Sequence, residues 1–129
     1  MMKRSLISVL SLLMLVLCIP ALAESTDWNY DANYAILRGY DGAGGDVVVP
    51  AEIDGFTVDV IGINVFKGDT ITSLTLPETV LELRSNAVAS CEKLTSVTLP
   101  QSLVVINRMN FFSCNALSEV TIPASVRYI

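Results

Sequence analysis

Three stretches decide the fold: Ile71-Thr72-Ser73-Leu74-Thr75-Leu76-Pro77, Leu94-Thr95-Ser96-Val97-Thr98-Leu99-Pro100 and Leu117-Ser118-Glu119-Val120-Thr121-Ile122-Pro123. Each follows the one before by 23 residues, and the same step separates Cys91 from Cys114 and Leu83 from Ile106 and Ile129. A fixed period of this size marks one supersecondary unit that cannot bury its apolar lining alone and is stable only when stacked. Leu74 and Leu76 alternate with Ser73 and Thr75, the period-two pattern of a half-buried strand. Pro77 ends the strand, because proline has no N–H to give to a ladder. Val80 and Leu83 then return to the interior, and Ala87, Val88 and Cys91 close the circuit. The next unit does the same with Val97, Leu99, Leu103, Ile106, Phe111 and Cys114.

Working outward, Val47-Val48-Val49-Pro50 is a degenerate first copy of the strand, with Pro50 placed 27 residues before Pro77. The surplus sits around Asp54-Gly55-Phe56, and the offset has fallen to 22 by Phe66 and Val88. The chain therefore holds one irregular coil, two regular coils and a part-coil reaching Ile129. Before them runs a glycine-rich loop, Gly39-Tyr40-Asp41-Gly42-Ala43-Gly44-Gly45-Asp46. Earlier still, Trp28-Asn29-Tyr30 and Tyr34-Ala35-Ile36-Leu37 flank the turn-forming Asp31-Ala32-Asn33. That segment is expected to form a hairpin covering one end of the stack, since an uncapped terminal coil exposes its core. The expected fold is a mainly β solenoid: a short right-handed stack of leucine-rich coils with an N-terminal β-hairpin cap. Its expected divisions are 1–23 as a signal peptide, 24–45 as cap and glycine-rich lead-in loop, and 46–129 as repeats, the last incomplete.

Residues 1–23 have the order of a secretory signal. Lys3 and Arg4 supply the positive start, Leu6 to Ile19 an apolar run broken by Ser8 and Ser11, and Ala21-Leu22-Ala23 the cleavage site. The run is shorter than the roughly 18 apolar residues of a membrane span. Cleavage after Ala23 is expected, with no membrane insertion afterwards. The alternative, lipidation at Cys18, is opposed by bulky Leu17 where a small residue is usual. Loss of Lys3 and Arg4 takes the net charge from −5 to −7. An acidic chain without a basic cluster has no electrostatic hold on phosphate, which excludes nucleic acid as a partner. Cys91 and Cys114 fall at one position of adjacent coils, where side chains of a ladder lie parallel rather than facing. Two buried thiols are expected rather than one bridge.

These motifs resemble the BspA-like leucine-rich repeats of bacterial surface proteins. The resemblance rests on Ile71 to Pro77 with Val80, Leu83, Val88 and Cys91, and on Leu94 to Pro100 with Leu103, Ile106, Phe111 and Cys114. Gly39-Tyr40-x-Gly42-x-Gly44-Gly45 with Ile53-Asp54-Gly55-Phe56 also looks like that family's first repeat. Arg84 and Asn107 stand where the family often has glycine, Val88 where it has an aromatic residue, and Asp69 where cysteine is common. The resemblance implies a secreted or surface-attached protein of the adhesion and host-binding class, with protein or glycan as partner. It transfers no defined set of binding residues and implies no cofactor.

The residues themselves point away from catalysis. The chain has no histidine, so neither a histidine triad nor a histidine metal site can be built. Asp41 and Asp46 bracket a glycine loop that superficially fits a calcium site, but the later bidentate glutamate is missing; positive-φ turns explain the glycines. No Gly-Lys-Ser/Thr follows, as a phosphate loop requires. Thirteen acids scattered over loops and corners leave a carboxylate hydrolase as a remote alternative. The expectation is no enzyme, no metal and no cofactor.

The candidate ligand face is the outward side of the strands. Its files are Val48, Thr75, Thr98 and Thr121 in one row and Asp46, Ser73, Ser96 and Glu119 in the next. Small hydroxyl and β-branched residues also suit any exposed sheet. Four such strands present roughly 200 Å², against about 800 Å² per partner in a standard specific interface, so this face alone is expected to bind weakly. A structural N-terminal segment of a longer repeat protein, without binding of its own, is the alternative. The part-coil after Leu117 carries no recognisable cap, and end-to-end self-association is a further expectation.

Overall fold

The computed structural model describes residues 25–68 and 70–129. The signal-peptide reading, the Cys18 alternative and Asp69 lie outside those residues.

Asp31 begins the first turn by accepting a hydrogen bond from the Asn33 amide (3.0 Å), the local bond that makes aspartate a turn residue. The turn joins β1 (Trp28–Asp31) to β2 (Ile36–Tyr40) in an antiparallel hairpin with a bulge between Asn29 and Tyr30. The second strand runs three residues past the expected end at Leu37, because Tyr40 pairs with Trp28. The chain then coils through β3 (Gly45–Val48), β4 (Glu52–Ile53), β5 (Phe56–Thr57), β6 (Val60–Ile61), β7 (Ile71–Thr75), β8 (Glu82–Leu83), β9 (Ser96–Thr98) and β10 (Val105–Ile106). No α-helix occurs among the described residues.

Two parallel sheets form the walls of the coil. One has the order β3-β7-β9, with Val47, Leu74 and Val97 in register and Val48, Thr75 and Thr98 beside them. This is the register expected from the repeat. The other has the order β1-β2-β6-β8-β10, built on two-residue rungs that align Leu37, Ile61, Leu83 and Ile106. The cap is thus hydrogen-bonded onto the first coil, as a cap should be. The surplus in the first coil is a small antiparallel hairpin, β4–β5, with left-handed Asp54 and Gly55 at its tip.

One point corrects the sequence expectation. The residues 117–123 carry the strand motif but form no strand, so the sheet has three rungs and not four. The ladder bond that would dock it, from the Leu99 amide to the Thr121 carbonyl, is not made. Leu117 and Val120 still pack against the core.

The interior is a continuous column. Leu74, Val80, Leu83, Leu94 and Leu103 are at most 1% exposed, and Trp28, Tyr40 and Phe66 stack beneath the cap at ring separations of 4.8 to 6.4 Å. Cys91 and Cys114 are buried and not joined to each other. Each thiol points at a carbonyl of the preceding coil, Phe66 and Val88 respectively, and packs as a small apolar group with a weak donor. Every coil turns at the same two left-handed places: Asn64, Asn86 and Met109 at one, Gly68, Ser90 and Ser113 at the other. A Cβ on Gly62 would lie 2.6 Å from the Leu37 carbonyl oxygen of the cap, too close for a side chain to be added there without a shift; Arg84 and Asn107 hold the same place in the next two coils, their amides bonded to the Ile61 and Leu83 carbonyls.

Candidate functional site

The outward face of β3-β7-β9 is the flat surface that the repeat predicts. Asp46, Ser73 and Ser96 line one file, and Val48, Thr75 and Thr98 the next. Asp46 holds its corner in place: its carboxylate oxygen accepts from Ser73 Oγ (2.8 Å) and Thr72 Oγ1 (3.3 Å). Thr95 Oγ1 donates to the Thr72 carbonyl one rung below (3.0 Å). Ser96, Thr98 and Val48 are exposed, while Ser73 and Thr75 are half-buried. Glu119 and Thr121 were expected to extend both files. They are exposed, but they stand outside the sheet because the fourth rung does not form. The ordered face therefore measures roughly 150 Å² at ordinary strand spacing.

Its chemistry is that of hydroxyl donors and acceptors around one carboxylate. Serine beside aspartate lacks the intervening base that an activated nucleophile needs. The face can exchange hydrogen bonds with a peptide backbone or sugar hydroxyls. It supplies none of the large aromatic or arginine anchors that dominate tight interfaces.

Those anchors lie instead on the cap and its neighbouring hairpin. Tyr30 stacks on Phe56 (5.9 Å, 20°) and donates its hydroxyl to the Thr57 carbonyl at 2.8 Å. Desolvation, with Asp59 and Asp31 nearby, raises the Tyr30 pKa above its ordinary value. Arg38 bridges Asp31 at 2.7 Å and lies 5.4 Å from the centre of the exposed Tyr34 ring. Desolvation opposes ionisation of Asp31, but the Arg38 hydrogen bond, the Asn33 amide, the Arg38 charge and the Tyr34 amide together hold its pKa below the usual value. The expected hairpin placed Tyr30 and Tyr34 on the cap. Nothing in the repeat placed Phe56 against Tyr30, since the two are not related by the period.

The glycine-rich loop is a wrapping turn. Gly44 and Gly45 have positive φ, and a Cβ at Gly42 would collide with the Tyr40 ring. Among the described residues no three His, Cys, Asp or Glu side chains converge where they could hold a metal ion. No helix among the described residues is long and apolar enough to cross a membrane.

Comparison with known proteins agrees with this geometry. Residues 52–129 match the family model of the BspA type leucine-rich-repeat region, in six copies. A leucine-rich-repeat protein from Bacteroides capillosus is 34% identical, with a TM-score of 0.69 over 79% of this chain and 81% of that one. A leucine-rich cell surface protein from Faecalibacterium prausnitzii is 27% identical, with a TM-score of 0.70 over 85% of this chain and 32% of its own. A leucine-rich-repeat protein of T. pallidum is 26% identical, with a TM-score of 0.63 over 79% of this chain. The chain spans 60% of the length of that T. pallidum protein. Comparison with curated proteins finds no match.

Proposed function

The chain belongs to the BspA-type leucine-rich-repeat family, and from that premise we propose that it is an exported, non-enzymatic adhesion module that binds protein or glycan at a cell surface. The observation that carries this reading is the ordered hydroxyl face: Ser73, Thr75, Ser96 and Thr98 held in register on a rigid three-stranded sheet. Such faces are the usual binding surfaces of solenoids. The cell-surface description of the F. prausnitzii relative supports the proposed address, and Lys3-Arg4 through Ala23 supplies the export signal. Glu119 and Thr121 follow the same files in sequence but stand outside the three-stranded sheet.

The test is biolayer interferometry of the secreted chain against a panel of extracellular-matrix proteins and neutral oligosaccharides, repeated with Thr75→Arg/Thr98→Arg. Binding that falls at least tenfold in the variant supports the face. Binding that the variant leaves unchanged refutes the face as the site. N-terminal sequencing of the secreted chain is expected to begin at Glu24, and a lipid-modified Cys18 would overturn the export route.

A second reading has two observations in its favour. The ordered face is far below the size of a standard interface, and the chain spans 60% and 32% of two solved relatives. A structural role as the capped start of a longer repeat array fits both facts. It predicts no binding to any member of the panel.

A further inference from the structure

The unbalanced charge of the described residues lies in the cap and the first coil. Residues 25–68 carry seven acidic and two basic side chains, a net charge of −5, whereas residues 70–129 carry four of each and are neutral. Between Arg38 and Lys67 stand Asp41, Asp46, Glu52, Asp54 and Asp59, with no lysine or arginine among them. Arg38 itself is already held by Asp31.

An exposed aromatic stack sits in this acidic field. Phe56, beside the tip of the β4–β5 hairpin, is 49% exposed, and Tyr30 lies against it at 5.9 Å and 20°. The Tyr30 hydroxyl is tied to the Thr57 carbonyl, so the rings are fixed before any ligand arrives and little side-chain freedom is left to lose on binding. Glu52 and Asp54 of the same hairpin are exposed. Asp59 follows Thr57 by two residues, and its charge is felt at Tyr30. Its carboxylate oxygen Oδ1 is shut off from solvent and accepts no hydrogen bond. A desolvated acceptor without a donor is costly, and a cationic N–H is the donor that compensates a carboxylate best.

We propose that the Tyr30–Phe56 stack, with Glu52, Asp54 and Asp59 around it, is a docking surface for a lysine- or arginine-rich segment of a partner protein. An ammonium or guanidinium placed over the Phe56 ring, within ~6 Å of its centre, is attracted by the negative face of the ring, and the neighbouring carboxylates accept its N–H groups. The cap makes this contact internally: Arg38 lies 5.4 Å from the centre of the Tyr34 ring while bonded to Asp31. Phe56 and its acids present the same two elements with no cation between them. The field over the cap draws basic partners in and turns acidic ones away, and the neutral later coils add to neither effect. This inference rests on the proposed function in taking the ligand as a protein, and it places the contact on the cap rather than on the hydroxyl face.

Fluorescence anisotropy of a labelled lysine–serine peptide, and of its glutamate–serine counterpart, tests it on the secreted chain. The lysine peptide is expected to bind, more weakly as salt rises, and the glutamate peptide is not. Phe56→Ala changes no charge and is expected to weaken the lysine peptide by about three- to fivefold, the worth of an exposed cation–π contact, while Phe56→Tyr keeps the ring and the affinity. Asp54→Asn/Asp59→Asn is expected to weaken binding at least tenfold. Glu78→Gln/Glu92→Gln, the same change of charge in the neutral coils, is expected to leave it within about twofold. Should Phe56→Ala lose its fold by circular dichroism, Phe56→Tyr and the two charge pairs still decide the matter. No binding of the lysine peptide, an unchanged affinity in folded Phe56→Ala, or equal losses in the two charge pairs overturns the docking surface. Neutral-oligosaccharide binding lost in Phe56→Ala, with no lysine-peptide binding, also overturns it and gives the stack to a sugar. Matrix-protein binding lost in Thr75→Arg/Thr98→Arg, with no lysine-peptide binding, overturns this inference and leaves the hydroxyl face standing.

Discussion

Leu76 and Leu99 occupy the same place in adjacent coils but not the same surroundings. Leu76 is 3% exposed, and its amide is tied to the next rung; Leu99 is 7% exposed, and its amide has no rung to bond. Truncating either leucine to alanine removes three carbons, about 2.4 kcal/mol of transfer free energy at ~0.8 per methylene. At Leu76 the coils on both sides hold the cavity open. A residual void of roughly 50 Å³ adds about 1.2 kcal/mol at ~24 cal/mol per Å³, for a total of about 3.5 kcal/mol. At Leu99 the undocked segment above is free to settle into the space, so the cavity contribution shrinks and about 2.5 kcal/mol is expected. Thr98→Lys, on the outward face, is expected to cost under ~0.5 kcal/mol. Urea unfolding followed by circular dichroism reads these as shifts in midpoint at constant m-value. If Thr98→Lys costs as much as Leu99→Ala, the assignment of faces is wrong. If Leu99→Ala costs more than Leu76→Ala, the last turn covers the core better than its missing hydrogen bonds indicate.

Three further outcomes follow from particular residues. Met109 holds a left-handed position that asparagine fills in the two preceding coils; Met109→Asn is expected to stabilise by about 0.5–1 kcal/mol, seen as a higher unfolding midpoint, and a loss would mean that the Met109 side chain contributes packing. Gly44 has φ +84°, and an added Cβ would lie 2.8 Å from the Thr70 carbonyl oxygen; Gly44→Ala is expected to cost about 1–3 kcal/mol, and a neutral result would show that the loop can re-route. Asp31 has a lowered pKa, so its contribution to stability is present above the unfolded carboxylate range near ~4 and is lost as pH falls through the lower folded value. Thermal unfolding at pH 7 and in that acid range should show Asp31→Asn destabilised only at the higher pH, and equal losses at both would assign the effect to the turn rather than to the charge.

Much of this architecture was legible because a period of 23 residues forces equivalent side chains into register. The Leu74–Val97 and Thr75–Thr98 pairs and the buried Cys91 and Cys114 follow from it, while the capping hairpin follows from the turn residues Asp31-Ala32-Asn33. The second sheet was not legible. Its rungs are two residues long, so Val60-Ile61 or Glu82-Leu83 shows too little alternation to be distinguished from a bend. The extra hairpin left only an arithmetical trace, the surplus around Asp54-Gly55-Phe56. The missing fourth rung is the reverse case: Leu117 to Pro123 has the right side chains, but a ladder needs backbone partners, and side-chain pattern does not report them. For the candidate face, the hydroxyl files were visible in the repeat. The Tyr30–Phe56 pair was not, because it joins two segments of differing period through contact alone.

The stack of three hydrogen-bonded rungs is the premise of everything above, and amide exchange by mass spectrometry measures it most directly. Peptides covering Leu76, Arg84, Thr95 and Asn107, whose amides donate to Thr98, Ile61, Thr72 and Leu83, are expected to be strongly protected, while Leu99 and 118–122 exchange freely. Protection of 118–122 equal to that of 94–98 would contradict the three-rung sheet, and free exchange at Leu76 and Arg84 would contradict the stack itself.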